Sequence, residues 1–510
     1  SHISTMNSSH PPLWSLKSHR FRVCLTFMFA MYLMISNSSS LGMAIICMVN
    51  STANNPARNE MSLMNISSDS SCVRSLEDSN SRPEYQGSLE WEAAKQSWLF
   101  SANYYGSFIT AIVSGTLADR FGPKKLLIFT FSVSIILTFS APFLAQFDYW
   151  AYFIARFIIG MGDGFVIPCI NSLGGLWFPA TEKTSMAALY TSGVQIAAGS
   201  SSLIGSRLCA LEFMGGWPLI FYMCGTMGIV CLLSFVILVT DHPSDNKWLT
   251  KEELAFLESS HEESARKRKL SSIPWKSILT SPVVFACLFC NFSFAFTSSM
   301  NLNFLPTFFK EELSLPLSSN GLYTMIPFLS QIIFKNVFAY VADHQKKTGK
   351  MTATKAAKIF QALGSFGSAL AYIALATLPT CDRPWIALIS GFIFGISFSS
   401  GICGFFTCIM TIAPAYAGTI TSIAMIFGQL GNALAPNVVS FVTLMEWPHK
   451  WMIILFFGAL LQTLSGVVFM IAGSGEAAPW ARNKASLAMQ KTIMHKDAEL
   501  EMKSLTKDHE

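Results

Sequence analysis

The sequence predicts an all-α membrane protein, with about twelve transmembrane helices in two six-helix, pseudo-symmetric halves. Three observations carry this expectation. Hydrophobic residues make up 51% of the 510 and charged residues only 13%, against about 25% charged in a soluble chain. Apolar stretches of spanning length recur about twelve times. A short signature that closes the second stretch returns in degenerate form at the matching place in the second half.

The stretches lie near 23–49, 96–118, 126–146, 150–174, 184–206, 217–240, 282–305, 319–342, 354–378, 385–412, 416–440 and 451–473. The first is too long for a cleaved signal peptide and reads as a spanning helix. The first and those near 184 and 416 are the least hydrophobic, being rich in Ser, Gly, Ala and Asn. That composition marks helices packed on other helices or lining a cavity. The organisation is then a tail 1–22, a first half 23–240, a linker 241–281, a second half 282–473 and a polar tail 474–510.

Basic residues cluster on one side: Lys17, Arg20 and Arg22, then Arg120, Lys124 and Lys125, then Arg266–Lys269, then Lys346, Lys347 and Lys350. Positive residues stay inside, so both termini are expected in the cytoplasm, in a plasma or an endolysosomal or vesicular membrane. The polar loop 50–92 falls on the other side and carries glycosylation sequons at Asn50 and Asn65. In the linker, Thr250-Lys-Glu-Glu253 has the form of a helix-capping box. It opens either a short amphipathic helix or a solvated linker with one helical turn.

The net charge of +5 is spread over tails and loops, which argues against nucleic acid. The twelve cysteines lie mostly in apolar stretches, without metal spacing, and read as small packing residues. Whether Cys72 and Cys381 pair is open, since both fall in loops of one side. No nucleotide-binding loop, nucleophile–base motif or metal cluster stands out, so no catalytic residue, metal or cofactor is expected, and the chain is not read as an enzyme.

The residues that bear most on function are Arg156 and Asp163, in Arg156-Phe-Ile-Ile-Gly-Met-Gly-Asp163. Seven residues make close to two helical turns, so both project from roughly one face. Ionisable groups inside a span are costly and functional by default. Arg156 offers a guanidinium fork to a carboxylate or phosphate. Asp163 can carry a proton, because desolvation favours a neutral carboxyl and a nearby arginine favours its anion. An anion that occupies Arg156 would loosen its hold on Asp163 and so couple substrate to proton. The alternative is an Arg156–Asp163 pair that only neutralises two buried charges. Asn103, Tyr104, Tyr105, Asn291, Asn301, Gln429 and Asn432 either contact substrate or bridge helices. Lys335 is expected to snorkel.

The repeated signature is Gly115-Thr-Leu-Ala-Asp119-Arg120-Phe-Gly122-Pro-Lys124, answered by Asp343 and the basic run behind it. Gly115 would allow close helix approach, and Asp119 and Arg120 charge-assisted bonds to helix ends. This resembles the GxxxDRxGxK motif of the major facilitator superfamily. Further stretches are similar to its anion:cation symporter branch, which includes sodium–phosphate cotransporters, sialin and vesicular glutamate transporters. They include Leu41–Ser51, Arg156–Pro168, Trp177–Lys183, Gly216–Tyr222 and Ala413–Gly418. The resemblance implies the major facilitator fold and puts that branch's helix-four arginine and acid on Arg156 and Asp163. It also implies losses: a second helix-four acid falls on Ile159, a helix-one arginine near Ser38, a helix-two histidine near Phe100 and a helix-seven arginine near Phe294. A glutamate carrier is therefore not expected.

The expectation is a secondary active transporter of small anions, inorganic phosphate or organic carboxylate, working as a monomer in the lipid bilayer by alternating access. Its coupling would be to sodium, protons or membrane potential. The alternative is a non-transporting membrane sensor or interaction protein that keeps the fold.

Overall fold

The computed structural model of the protein describes residues 15, 18–49, 87–178, 183–211, 213–266, 274–413, 416–445, 447, 449–478 and 480–481. The sequons at Asn50 and Asn65 lie outside these residues, as does Cys72. The first half comprises α1 (His19–Met48), α2 (Ala93–Phe121), α3 (Pro123–Phe147), α4 (Tyr149–Trp177), α5 (Lys183–Cys209) and α6 (Trp217–Leu238). The second comprises α7 (Pro282–Glu311), α8 (Leu317–Lys347), α9 (Ala353–Thr377), α10 (Trp385–Thr411), α11 (Ala417–Leu444) and α12 (Lys450–Ala472). Ten of these helices are long and apolar enough to cross a membrane; α2 and α5 are not among them. The low apolarity of α5 was expected. That of α2 was not, and it comes from the Ser, Asn, Tyr and Thr scattered along it.

Local chemistry sets the helix ends. Gly122, at φ 86°, stops α2, and Pro123 opens α3 directly after it. Only glycine takes that backbone without strain, and proline is free at a first turn because its missing N–H would have no partner there. Asp148 caps α4, accepting from Trp150 N at 2.8 Å and Ala151 N at 3.0 Å. α10 contains a π-helical turn at Ile402–Phe406. Gln361 of α9 reaches across and accepts from Phe405 N there, at 3.0 Å.

The two halves repeat one packing scheme. In the first, α1 packs on α5, α2 on α4, and α3 on both α4 and α6. In the second, α7 packs on α11, α8 on α10, and α9 on both α10 and α12. Across the seam α2 meets α11, α5 meets α8 and α1 meets α7. Exchanging the halves turns α2/α11 into α8/α5 and returns α1/α7 to itself, as a two-fold relation between repeats requires.

The start of α1, the linker and the end of α12 share one end of the bundle, here called the terminal side. The other end is the loop side. On the loop side a single apolar cluster spans both halves, taking in Leu41–Val49, Phe296, Phe304, Phe308, Tyr372, Val439 and Trp451. Toward the terminal side it gives way to one cluster per half, around Phe27, Trp177 and Phe235 in the first and around Cys287, Phe405 and Ile420 in the second. Hydrogen bonds between the halves follow the same division, except that Lys335 Nζ donates to Thr191 Oγ1 at 2.8 Å toward the terminal side. Lys310 Nζ reaches Ile46 O at 3.0 Å, Asn303 Nδ2 donates to Tyr104 Oη at 2.8 Å, and Tyr105 pairs with the Asn437 amide. All three lie in the loop-side half of the bundle. The apolar packing between the halves is therefore closed at the loop side and parts toward the terminal side, where Lys335–Thr191 still spans the seam.

Cys47 and Cys209 form a disulfide between the loop-side ends of α1 and α5. This corrects the reading of both as packing residues. They are 162 positions apart, and only the α1/α5 contact brings them together. Cys381 is also disulfide-bonded.

The linker carries a helix, Lys251–Arg266. Half of the expected capping box forms, with Glu253 N donating to Thr250 Oγ1 at 3.3 Å. The Glu253 carboxylate turns instead to the start of α1. It accepts from Ser18 Oγ at 2.6 Å, His19 N at 3.3 Å and Arg20 Nε at 3.2 Å. Arg20 and Glu253 are both fully buried, and the Arg20 guanidinium lies 5.0 Å from the Phe256 ring centre. The linker helix is thus fastened to the first half rather than solvated.

Candidate functional site

The site is built where α2 lies flush on α4. Gly160 and Gly106 make that approach possible. A Cβ on Gly160 would run into Asn103 O, and one on Gly106 into Phe157 O. The close contact brings Asn103 beside Asp163, and Asn103 Nδ2 donates to Asp163 Oδ2 at 3.1 Å. The same amide reaches Ser38 Oγ of α1 at 3.4 Å. Asp163 is half-buried and borders a small cavity between α1, α3, α4 and α6, lined also by Asn37, Ser134, Thr138 and Cys224. Asn37 and Ser134 are joined across it at 3.4 Å.

Arg156 is 3% exposed. Its Nη1 donates to Asn37 O at 3.2 Å, while its Nε is buried without a protein partner. Among the described residues the ion pairs are Arg20–Glu253 and Lys450–Glu311, so Arg156 and Asp163 do not pair directly. They share the neighbourhood of Asn37 instead. The α1 backbone thus takes one arm of the Arg156 fork, and the Nε edge keeps an unused donor.

The other candidates divide between the network and plain helix bridging. Tyr104, next to Asn103, faces the seam and accepts from Asn303 of α7. Asn303 also donates to Ser299 Oγ at 3.2 Å, and Ser299 to Asn432 O of α11 at 3.0 Å. Adjacent residues of α2 therefore connect Asp163 on one side and the second half on the other. Asn291 Nδ2 donates to Ala424 O, binding α7 to α11. Asn301 likewise ties α7 to Tyr372 of α9 at 2.8 Å. The positions of the lost family groups have new partners: Phe294 stacks on Phe398 at 4.0 Å, and Phe100 meets Phe304 across the seam at 4.9 Å.

The signature at the α2/α3 turn acts differently from expectation. Nothing lies within 4 Å of where a Gly115 Cβ would be, so Gly115 makes no close helix contact here. The terminal-side parting of the halves explains this. Lys124 does the binding, its N donating to Asp241 Oδ1 at 2.9 Å and its Nζ to Val236 O at 3.2 Å. The turn is thus fixed to the end of α6 by Asp241, which the sequence reading did not single out. Arg120 is exposed and lies over Phe121. Asp119 and Asp343 are helical, and their side chains are outside the described set.

Two six-helix repeats, a two-fold seam closed on one side only and charged groups buried in one half define a membrane transporter of the alternating-access type. The comparisons name the family. The sequence model of the Major Facilitator Superfamily matches residues 23–436, and the chain belongs to that superfamily. Within it the chain belongs to the sodium–phosphate cotransporter and sialin branch. It is 32% identical to the uncharacterized transporter slc-17.3 of Caenorhabditis elegans, over 92% of this chain and 91% of that protein. It is 25% identical to sialin of Homo sapiens, over 91% of each chain. With sodium-dependent phosphate transport protein 3 of Mus musculus the identity is 26%, over 92% of this chain and 96% of that one. In fold it is similar to a crystallised D-xylose–proton symporter, with a TM-score of 0.63 at 15% identity, over 89% of this chain and 97% of the other.

Proposed function

We propose that the chain is a secondary active transporter of small anions, inorganic phosphate or an organic carboxylate, coupled to sodium or protons. Relatives named for phosphate transport and sialin support the substrate class. The observation that carries the coupling is the α2 pair Asn103–Tyr104. Asn103 holds the carboxylate of Asp163 while Tyr104 holds Asn303 of the opposite half. A change of charge on Asp163 alters what the Asn103 amide can bond, and that is felt one residue away at the seam. In the opposite conformation Arg156 leaves Asn37 O and takes the anion, where a planar fork suits carboxylate or phosphate.

The sidedness follows from chemistry. The Cys47–Cys209 disulfide is at the loop side, and disulfides persist in oxidising compartments. The loop side is then extracellular or lumenal, the terminal side cytoplasmic, and the state described here inward-facing.

The test is uptake by purified protein in liposomes, with radiolabelled phosphate, sialic acid, urate, glutamate and aspartate. Sodium, pH and voltage gradients are imposed singly. Uptake of at least one anion, driven by a sodium or pH gradient, is expected. No uptake under any gradient, from folded protein, would contradict the proposal and favour a sensor that keeps the fold.

A further inference from the structure

We infer that Lys335 of α8 is the anion-contacting cation of the second half, placed in the seam opposite α5. The inference rests on the anion-transport reading above. The expectation of snorkelling is not met. Lys335 Nζ crosses the seam and donates to Thr191 Oγ1 of α5 at 2.8 Å. Among hydrogen bonds between described residues, this is the inter-half bond nearest the terminal side. It lies about 18 Å inward from the end of α8 and about 12 Å from the start of α5.

Three features distinguish this lysine from a structural strut. It has no carboxylate partner: the ion pairs among the described residues are elsewhere. A half-buried ammonium with only a hydroxyl for company retains most of its attraction for an anion. The face of α5 that it meets is suited to an oxyanion. Gln195 follows Thr191 by four residues, so both share one face of α5. The Gln195 Oε1 is buried without a partner, and its amide can turn to present N–H instead. Lastly, the other cations are occupied or remote. Arg156 Nη1 is on Asn37 O within the first half, Lys310 is on Ile46 O at the closed loop side, and the position the resemblance gives to a helix-seven arginine is the stacked Phe294.

An anion entering from the terminal side takes the Lys335 ammonium from Thr191, whose hydroxyl, donating to Ala187 O at 2.7 Å here, turns to donate to the same anion. Substrate thereby replaces a direct bond between the halves with one through itself.

The experiment compares Lys335→Met, Lys335→Arg and Thr191→Val with wild type in phosphate and organic-anion uptake, each checked for unchanged thermal unfolding. Lys335→Met should raise KM at least tenfold. Lys335→Arg and Thr191→Val should each stay within about threefold. In parallel, modification of Lys335 by an amine-reactive reagent, read by mass spectrometry, should slow saturably with the transported anion while Lys247 and Lys251 are unaffected. A wild-type KM in Lys335→Met, equal defects in Lys335→Met and Thr191→Val, or labelling indifferent to anion would each overturn the assignment. Those results leave wild-type uptake intact and the transport reading standing. Wild-type protein that takes up no anion overturns that reading and this assignment with it.

Discussion

Glu253 offers the sharpest test of how the linker is fastened. Replacing it with Ala removes the acceptor of three hydrogen bonds, at 2.6, 3.2 and 3.3 Å, one of which is the ion pair to the fully buried Arg20. Removing one partner of a buried pair costs up to about 3–5 kcal/mol. At about 1.4 kcal/mol per factor of ten, the opening equilibrium of this region shifts by up to roughly two to three and a half decades. Replacing both partners, as Arg20→Met with Glu253→Leu, leaves neither charge of the pair facing the other's vacancy and should recover much of the loss. Buried cysteine thiols make the readout direct, since a fluorogenic maleimide reacts as they are exposed. Cys24, one turn from Arg20, has its Sγ on Met186 O and should be the first modified. Glu253→Ala should lower the apparent Tm and speed Cys24 labelling, and the double variant should recover much of both. A single variant that labels like wild type, or a double variant as weak as the single, would refute the reasoning.

Further outcomes follow from the structure and, for the sequons, from the sequence. Arg156→Met should abolish anion uptake, and Arg156→Lys should reduce it at least tenfold, because a point ammonium lacks the fork; initial-rate uptake in liposomes checks this. Cys47→Ser with Cys209→Ser should lower the apparent Tm by an amount corresponding to about 2–5 kcal/mol, and reductant should lower wild type by more than the double variant, which keeps the Cys381 disulfide. Asn50→Gln and Asn65→Gln should each remove one glycosidase-sensitive mobility shift from protein made in a glycosylating cell.

The helices were legible because spanning length and apolarity are local properties of the chain. So was the importance of Arg156 and Asp163, since charge in a span is rare whatever surrounds it. Partners were not legible. Asn103 reaches Asp163 only because Gly160 and Gly106 let α2 and α4 touch. Glu253 looked like a local capping residue and serves α1, more than two hundred positions away. Cys47–Cys209 and Lys335–Thr191 likewise depend on which helices meet. Gly115 shows a different limit: its expected contact belongs to the state in which the terminal side is closed, and a sequence does not specify which state is populated.

The most direct test of coupling through α4 is Asp163→Asn, measured two ways in the same liposomes. Anion exchange at equal concentrations, with no gradient, needs only the conformational cycle. Concentrative uptake needs the coupling ion. The account predicts that Asp163→Asn keeps exchange within about threefold of wild type and loses gradient-driven accumulation. Accumulation that survives the substitution would contradict it and remove Asp163 from the coupling mechanism.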